Sequence, residues 1–303
     1  MEHWQLKQRQ GLDLRVKVEL SKKKIREFYE AMEGNVYVSF SGGKDSTVLL
    51  DLVRSEYPDI PAMFVDTGLE YPEIKEFVRT IPNVTWVRPK MSFKEVLEKY
   101  GYPVVSKKNS MGIHRCRNTN SQIQKDLRLY GGINPTSGKK QHPTISRKWH
   151  YLIDAPFKIS EKCCERLKKE PIIRYNKETK LSAFIGTMAC DSQQRKLEYI
   201  KQGCNSFDGR SSRSTPIAFW LESDVWQYIK DNNLPYSKIY DMGEKHTGCI
   251  FCMFGVHMEK GENRFQRMAR THPKLWDYCI NTLGCGKVLD YIGVKYGGKN
   301  GQR

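Results

Sequence analysis

Lys44 directly follows two glycines in Ser41-Gly42-Gly43-Lys44-Asp45-Ser46, between an apolar run at 36–40 and a helix-forming stretch. Glycines in such a turn let backbone N–H groups converge on an oxyanion, which a Cβ would obstruct. The helix that follows offers its positive end to the same anion, and Lys44 adds a full charge. Ser46 can cap that helix or bind an oxygen. Spacing excludes a Walker A loop, which needs a glycine, four residues, then Gly-Lys-Ser/Thr; Asp45 stands where the magnesium-binding hydroxyl belongs. An ordinary turn would account for Gly-Gly alone. With Lys-Asp-Ser behind it, the loop points to a phosphate cradle of another kind.

Thiols supply the second candidate chemistry. Among nine cysteines, Cys163 and Cys164 are adjacent, and Cys249 and Cys252 form a Cys-x-x-Cys pair. Four thiolates are enough for tetrahedral zinc or for an iron–sulfur cluster. Adjacent cysteines are awkward for zinc, since both must bend to one small ion, whereas a [4Fe–4S] cube can receive them at separate irons. On spacing, a cluster, zinc and unliganded thiols all stay open. Cys116, Cys190, Cys204, Cys279 and Cys285 suit small buried hydrophobes. Of these, Cys190 and Cys285 are the two to follow as candidate reagents.

Charge bounds the partner. The formal net charge of +17 is unevenly spread: residues 107–148 hold ten Lys/Arg against one acid, Asp126, a local +9. Such a segment, with His114, Asn118, Asn120 and Tyr130, suits phosphate-backbone contact with nucleic acid. A solvated insertion whose charge aids solubility is the plainer explanation. No apolar run approaches the roughly 20 residues of a membrane span. The first ten residues lack the apolar core of a secretory signal, which points to the cytoplasm and reduced thiols.

The elements that must position these groups alternate. A helix is expected over 14–33, with Ile25, Phe28 and Met32 at helical spacing. A strand at 36–40 leads to a helix from Ser46 to Arg54. A second strand ends at Asp66 before a helix that has Pro72 near its start. A third strand at 84–89 precedes a helix that Ser92 caps and Gly101 stops. The alternation resumes with a strand in 182–190 and a helix over 222–233, and a basic helical stretch from Arg264 breaks at Pro273. Residues 296–303 read as a frayed tail. This order predicts an α/β fold: a doubly wound parallel sheet with a C-terminal cysteine-cluster region. Five stretches follow: an N-terminal helical segment (1–34), a first core part (35–106), a basic insertion (107–150), a second core part with Cys-Cys (151–242), and the C-terminal cysteine and basic helical region (243–303). Ligands of such sheets bind at the carboxyl ends of strands, where Ser41 and Asp66 both fall.

The hexapeptide at 41–46 resembles the PP-loop of ATP pyrophosphatases, the adenine-nucleotide α-hydrolase superfamily. The resemblance implies that Ser41, Gly42, Gly43, Lys44, Asp45 and Ser46 cradle the β- and γ-phosphates of ATP with magnesium, while a substrate atom attacks the α-phosphorus and pyrophosphate leaves. Lys44, Asp45 and Asp66 are then the catalytic candidates. Asp66-Thr67-Gly68, followed by Tyr71-Pro72-Glu73, is similar to a strand-end motif of the PAPS-reductase branch and implies nucleotide contact. Residues 184–196 resemble a family segment ending in Ser-x-x-Arg at Ser192 and Arg195, although Met188 and Ala189 stand where many relatives carry arginine. Cys163-Cys164-x-x-x-Lys168-x-Glu170-Pro171, with the later Cys249 and Cys252, is similar to the cluster motif of adenylyl-sulfate reductases and implies a [4Fe–4S] cluster.

Two chemistries fit that resemblance. An intact loop, four clustered cysteines and a basic insertion together resemble enzymes of DNA phosphorothioation and cluster-bearing tRNA thiolases. They imply ATP cleavage to AMP and pyrophosphate, a nucleic-acid acceptor reached through residues 107–148, and a sulfur donor such as a cysteine desulfurase. A sulfonucleotide reductase instead needs a nucleophilic cysteine, found in that family in Glu-Cys-Gly-Leu-His; around Cys285 this chain shares only Cys-Gly. A nucleotide- or nucleic-acid-binding module with a structural metal is the non-catalytic alternative.

Overall fold

The computed structural model describes residues 2–207 and 212–297; the rest of the expected tail, 298–303, lies outside the described residues. The chain forms two compact units: Met1–Asp66, Glu70–Arg88 and Pro171–Thr247 make the first, and Thr67–Leu69, Pro89–Glu170 and Gly248–Arg303 the second.

The first unit carries a six-stranded sheet. Val84–Val87, Ala62–Val65, Val36–Ser39, Ser182–Ile185 and Arg213–Ser214 lie side by side in parallel, and Asn205–Ser206 closes one edge antiparallel. Both faces are covered, which is why the strands read as nearly continuous apolar runs. Alternation sends Val36 and Val38 to one face and Tyr37 to the other. Phe184 meets Phe28 of the helix Leu14–Ala31 edge-on at 5.2 Å, while Val48, Leu49 and Leu52 bury the helix Lys44–Glu56. On the opposite face Tyr37, Met63 and Ala183 pack with Tyr175 and Ile172 of the helix Glu170–Thr179. The sheet is therefore doubly wound, as the alternation predicts. Strand order runs outward from Val36–Ser39 to Val84–Val87 and then reverses to Ser182–Ile185, so the switch point lies beside the glycine loop.

Two local expectations are corrected. The helix after the loop starts at Lys44 rather than Ser46, because Gly43 takes the extended N-cap position at φ −83°. The strand at 182 ends at Ile185, and Ala189–Asp191 is a short 3-10 turn. The helix expected over 14–33 runs Leu14–Ala31, and a further helix, His3–Gln10, precedes it.

In the second unit, Ser92 caps the helix Phe93–Tyr100 through a capping box with Glu95, and Gly101 ends it. The basic stretch is more ordered than a polar insertion requires. It folds as helices Lys107–Arg117 and Gln122–Leu129, an antiparallel hairpin of Gly132–Ile133 with Lys140–Gln141, and a 3-10 helix Arg147–Asp154. Ile113, Cys116, Leu127, Ile145 and Trp149 give it buried apolar residues of its own. Arg117 donates to the carbonyls of Leu152, Ile153, Ala155 and Phe157 at 2.6–2.8 Å, satisfying acceptors that the end of a helix leaves orphaned. The C-terminal basic stretch breaks at Pro273 as expected, into Arg264–Thr271 and Pro273–Asp277. No helix among the described residues is long and apolar enough to cross a membrane.

Candidate phosphate loop and cysteine cavity

The loop leaves the end of the strand Val36–Ser39 and enters a helix within five residues, which only a sharp turn allows. Gly42 supplies it at φ +72°, and a Cβ there would come within 2.9 Å of Val78 and Ile74. Serine hydroxyls hold the turn from inside. Ser46 Oγ receives the Ser41 N–H at 3.2 Å, lies 3.0 Å from Ser41 Oγ, and donates to the Gly43 carbonyl at 2.9 Å. Lys44 is buried. Its ammonium lies 3.2 Å from Glu222 Oε1, 3.6 Å from Asp45 Oδ1 and 3.5 Å from the Lys245 carbonyl. Burial works against that charge, but Asp45, Tyr240 and Glu222 outweigh it and raise the Lys44 pKa. Burial likewise raises the Asp45 pKa, with Lys44 opposing and Asp191 adding to the rise. Asp45 Oδ1 is buried without a hydrogen bond.

Asp66 ends the neighbouring strand, Ala62–Val65, and is buried. Its two oxygens meet Lys75 Nζ at 2.6 Å and Arg88 Nε at 3.4 Å, so the carboxylate stands between two cations. Thr67 Oγ1 accepts the Leu69 N–H at 3.2 Å, and Gly68 turns the chain at φ +77°. Ser192 is the N-cap of the helix Gln193–Gln202, and Arg195 pairs with Asp191. That segment borders a cavity of about 750 Å³, counting its open mouth, lined among others by Cys190, Ser192 and Lys196. Cys190 is exposed as a residue, but its thiol turns inward to donate to the Trp220 carbonyl at 3.5 Å, and partial burial, then Asp191, pushes it up to about 11.

Sequence reasoning missed Tyr240, Glu222, Lys245 and Thr247 around the loop. Tyr240 OH accepts the Lys44 N–H at 2.8 Å, across almost two hundred residues of chain. Nothing local to "SKIYDMGEKHTG" signals that contact, since only the fold brings the two segments together.

In the second unit, Cys163, Cys164, Cys249 and Cys252 all line one cavity of about 300 Å³, counting its open mouth. Leu69, Phe93, Pro103, Leu167 and Lys168 complete the wall. The helical turn Lys162–Cys164 runs into a π-helical turn, Glu165–Lys169, which sets the two adjacent thiols on this wall. The Cys249–Cys252 turn closes through the Cys252 N–H to the Cys249 carbonyl at 3.1 Å, and Met253–Phe254 then pairs in parallel with Val104–Val105. No disulfide joins these four cysteines. Among the described residues, no three His, Cys, Asp or Glu side chains gather about a single metal-ion position. Hydrogen bonding from Cys163 lowers Cys164 to about 6 against the effect of burial, with Lys107, Lys168 and Lys169 assisting. Cys163 is raised in turn by that bond and by burial. Burial, then Cys249, pushes Cys252 up to about 11.

Cys285 is fully buried beside Cys279, whose thiol is raised by burial and by the bond to Cys285. Of the ten basic residues in 107–148, Lys107, Lys108, Arg115, Lys139, Lys140, Arg147 and Lys148 are exposed, while Arg117 is committed to its carbonyls.

Comparison with known proteins gives these sites a context. An uncharacterised protein of Methanocaldococcus jannaschii is 28% identical over 270 residues, covering 86% of this chain but 43% of its own length. A second from that organism is 25% identical over 267 residues, 86% of this chain and 51% of its own. The chain thus spans about half the length of these two relatives. The adenosine 5'-phosphosulfate reductase of Oceanobacillus iheyensis is 24% identical over 248 residues, 80% of this chain and 81% of its own. Among solved structures, the phosphate complex of phosphoadenylyl-sulfate reductase from Candida auris matches with a TM-score of 0.46 at 19% identity, covering 82% of this chain and 96% of that one. A U34-tRNA thiolase from Methanococcus maripaludis, solved with its [4Fe–4S] cluster, matches with a TM-score of 0.39 at 17% identity, over 95% of this chain and 86% of that one. The phosphoadenosine phosphosulfate reductase domain matches residues 35–125 and 132–285, and the chain belongs to that family.

Proposed function

We propose that the protein cleaves ATP to AMP and pyrophosphate, activating an oxygen of a nucleic-acid acceptor for iron–sulfur-dependent sulfur transfer. The observation that carries this reading is the complete loop, with glycine backbone, Lys44 and two serine hydroxyls, at the switch point of the sheet. The acceptor oxygen attacks the α-phosphorus, the bond to the β-phosphate oxygen breaks, and pyrophosphate leaves with the electron pair. Backbone N–H groups of the loop and the Lys44 ammonium are suited to hold that leaving group, because they direct positive charge at its oxygens. Ser41 and Ser46 keep the turn in shape for it. Asp45, Asp66, Thr67 and Gly68 are proposed nucleotide or magnesium contacts, and Ser192 and Arg195 substrate contacts.

Cys163, Cys164, Cys249 and Cys252 would hold a [4Fe–4S] cluster. What supports this is that all four cysteines line one cavity, with Lys168 bringing positive charge to its wall. When bound, the cluster supplies sulfur handling and redox capacity. The exposed lysines and arginines of 107–148 suit a polyanionic acceptor. A sulfur-donor protein such as a cysteine desulfurase completes the reaction.

Sulfonucleotide reduction is the second reading, favoured by the reductases among its sequence relatives. The burial of Cys285 speaks against it, because a nucleophile that must be regenerated by an external thiol needs access. The deciding experiment measures AMP and pyrophosphate release from ATP by anaerobically prepared protein, with and without tRNA or DNA. Release stimulated by nucleic acid is expected. No release under any condition, with sulfite formed from a sulfonucleotide, would establish the second reading.

A further inference from the structure

The loop's first helical N–H is held by the protein itself. Tyr240 OH accepts the Lys44 N–H at 2.8 Å, at the start of a helix whose first-turn donors otherwise face an anion or water. The same strap reaches the loop three more times. Its Lys245 carbonyl lies 3.5 Å from Lys44 Nζ, its Tyr240 ring lies 5.7 Å below that ammonium, and its Thr247 Oγ1 stands 2.5 Å from where a Cβ on Gly43 would be. The Tyr240 and Thr247 hydroxyls are 3.5 Å apart. Oxygen atoms thus sit against the Lys44 amide and the ammonium, as oxygens of a bound phosphate would.

We propose that residues 237–247 form a strap that closes the anion cradle, with Tyr240 as the phosphate stand-in, and that a pyrophosphate-bearing ligand must displace it. This rests on reading the loop as an anion cradle and adds to it a competing occupant built into the chain. Thermodynamically, each ligand bond to Lys44 N–H replaces an internal one, so the strap lowers affinity by the free energy of opening. Tyr240 is a positioning residue: it acts on the ligand through Lys44. Its ring also touches Trp226 edge-on at 5.3 Å, and Tyr236 lies 5.4 Å from the same indole. Displacing the strap therefore changes the surroundings of Trp226.

The test is equilibrium binding of inorganic pyrophosphate to the full chain, by calorimetry and by fluorescence. Tyr240→Phe keeps the ring and removes the acceptor, leaving the Lys44 N–H for the anion. It is expected to bind pyrophosphate about fivefold tighter than the wild type, the equivalent of one hydrogen bond. In the wild type, saturation should shift a fluorescence signal that Trp226→Phe abolishes. Unchanged or weaker binding by Tyr240→Phe would overturn the strap while leaving the cradle intact, since it would make the phenol a neutral bystander or a direct phosphate donor. No pyrophosphate binding by either protein would overturn the cradle and the strap together. Neither readout depends on AMP release, so a failure of the catalytic reading stays distinguishable.

Discussion

The phosphate loop takes its donors from six consecutive residues, 41–46, whereas the cysteine cavity takes its thiols from two segments, 163–164 and 249–252. The loop's chemistry is mostly backbone, made by a left-handed glycine and the start of a helix, with one side-chain charge added. The cavity's chemistry is wholly side chain, set on a π-helical turn at one end and a short turn before a parallel strand pair at the other. The two regions therefore tolerate different changes. A loop of this kind loses function when its charge or its glycines change. A cavity of this kind loses it when any wall segment shifts, even with every cysteine in place.

The largest expected effect breaks the loop. Lys44→Ala should lower AMP release by about 10²–10³-fold, the cost of removing one preorganised stabiliser of developing charge. Its circular dichroism and its iron content after anaerobic reconstitution should match the wild type, because the ligand set lies elsewhere in the chain. Turnover close to wild type would move the chemistry away from Lys44.

Next in size is the cavity. Cys249→Ser and Cys252→Ser should each lose most of the bound iron and the brown colour on reconstitution. Full iron occupancy in both variants would mean that other residues bind the metal.

The smallest effect sharpens the comparison within the cavity. The thiolate is the form that alkylates, so labelling rises as pH passes each thiol's pKa. In reduced, metal-free protein, Cys164 should reach half-maximal reaction with iodoacetamide at a lower pH than Cys252, as read by mass spectrometry. Equal profiles would show that the Cys163 hydrogen bond and the nearby lysines do not act on Cys164 as the geometry requires.

Much of this was legible in the residues. Strand–helix alternation anticipated the parallel sheet because apolar runs covered on both faces leave no other reading. Ser92 and Gly101 marked a helix because capping is a local hydrogen-bond problem with few solutions. The turn at Gly42 was legible because the residues that make it are contiguous. The helix start was misread by two residues, since Ser46 bonds back to Gly43 and caps nothing ahead of it.

What stayed hidden depends on distance along the chain. The basic stretch read as a polar insertion because its apolar residues are sparse, and only packing shows Ile113, Leu127 and Trp149 buried. Arg117 counted as one charge among ten until the fold directed it to four carbonyls. Cys285 could be a reagent in the sequence and is a buried partner of Cys279 in the structure. Short-range sterics and periodicity act within a few residues, so the residues alone specified the glycine turn at 41–46 and the parallel sheet. Only the tertiary structure decided that Cys163, Cys164, Cys249 and Cys252 share one cavity and that Tyr240 holds the loop's N–H, because contacts between remote segments are set by how the whole chain packs.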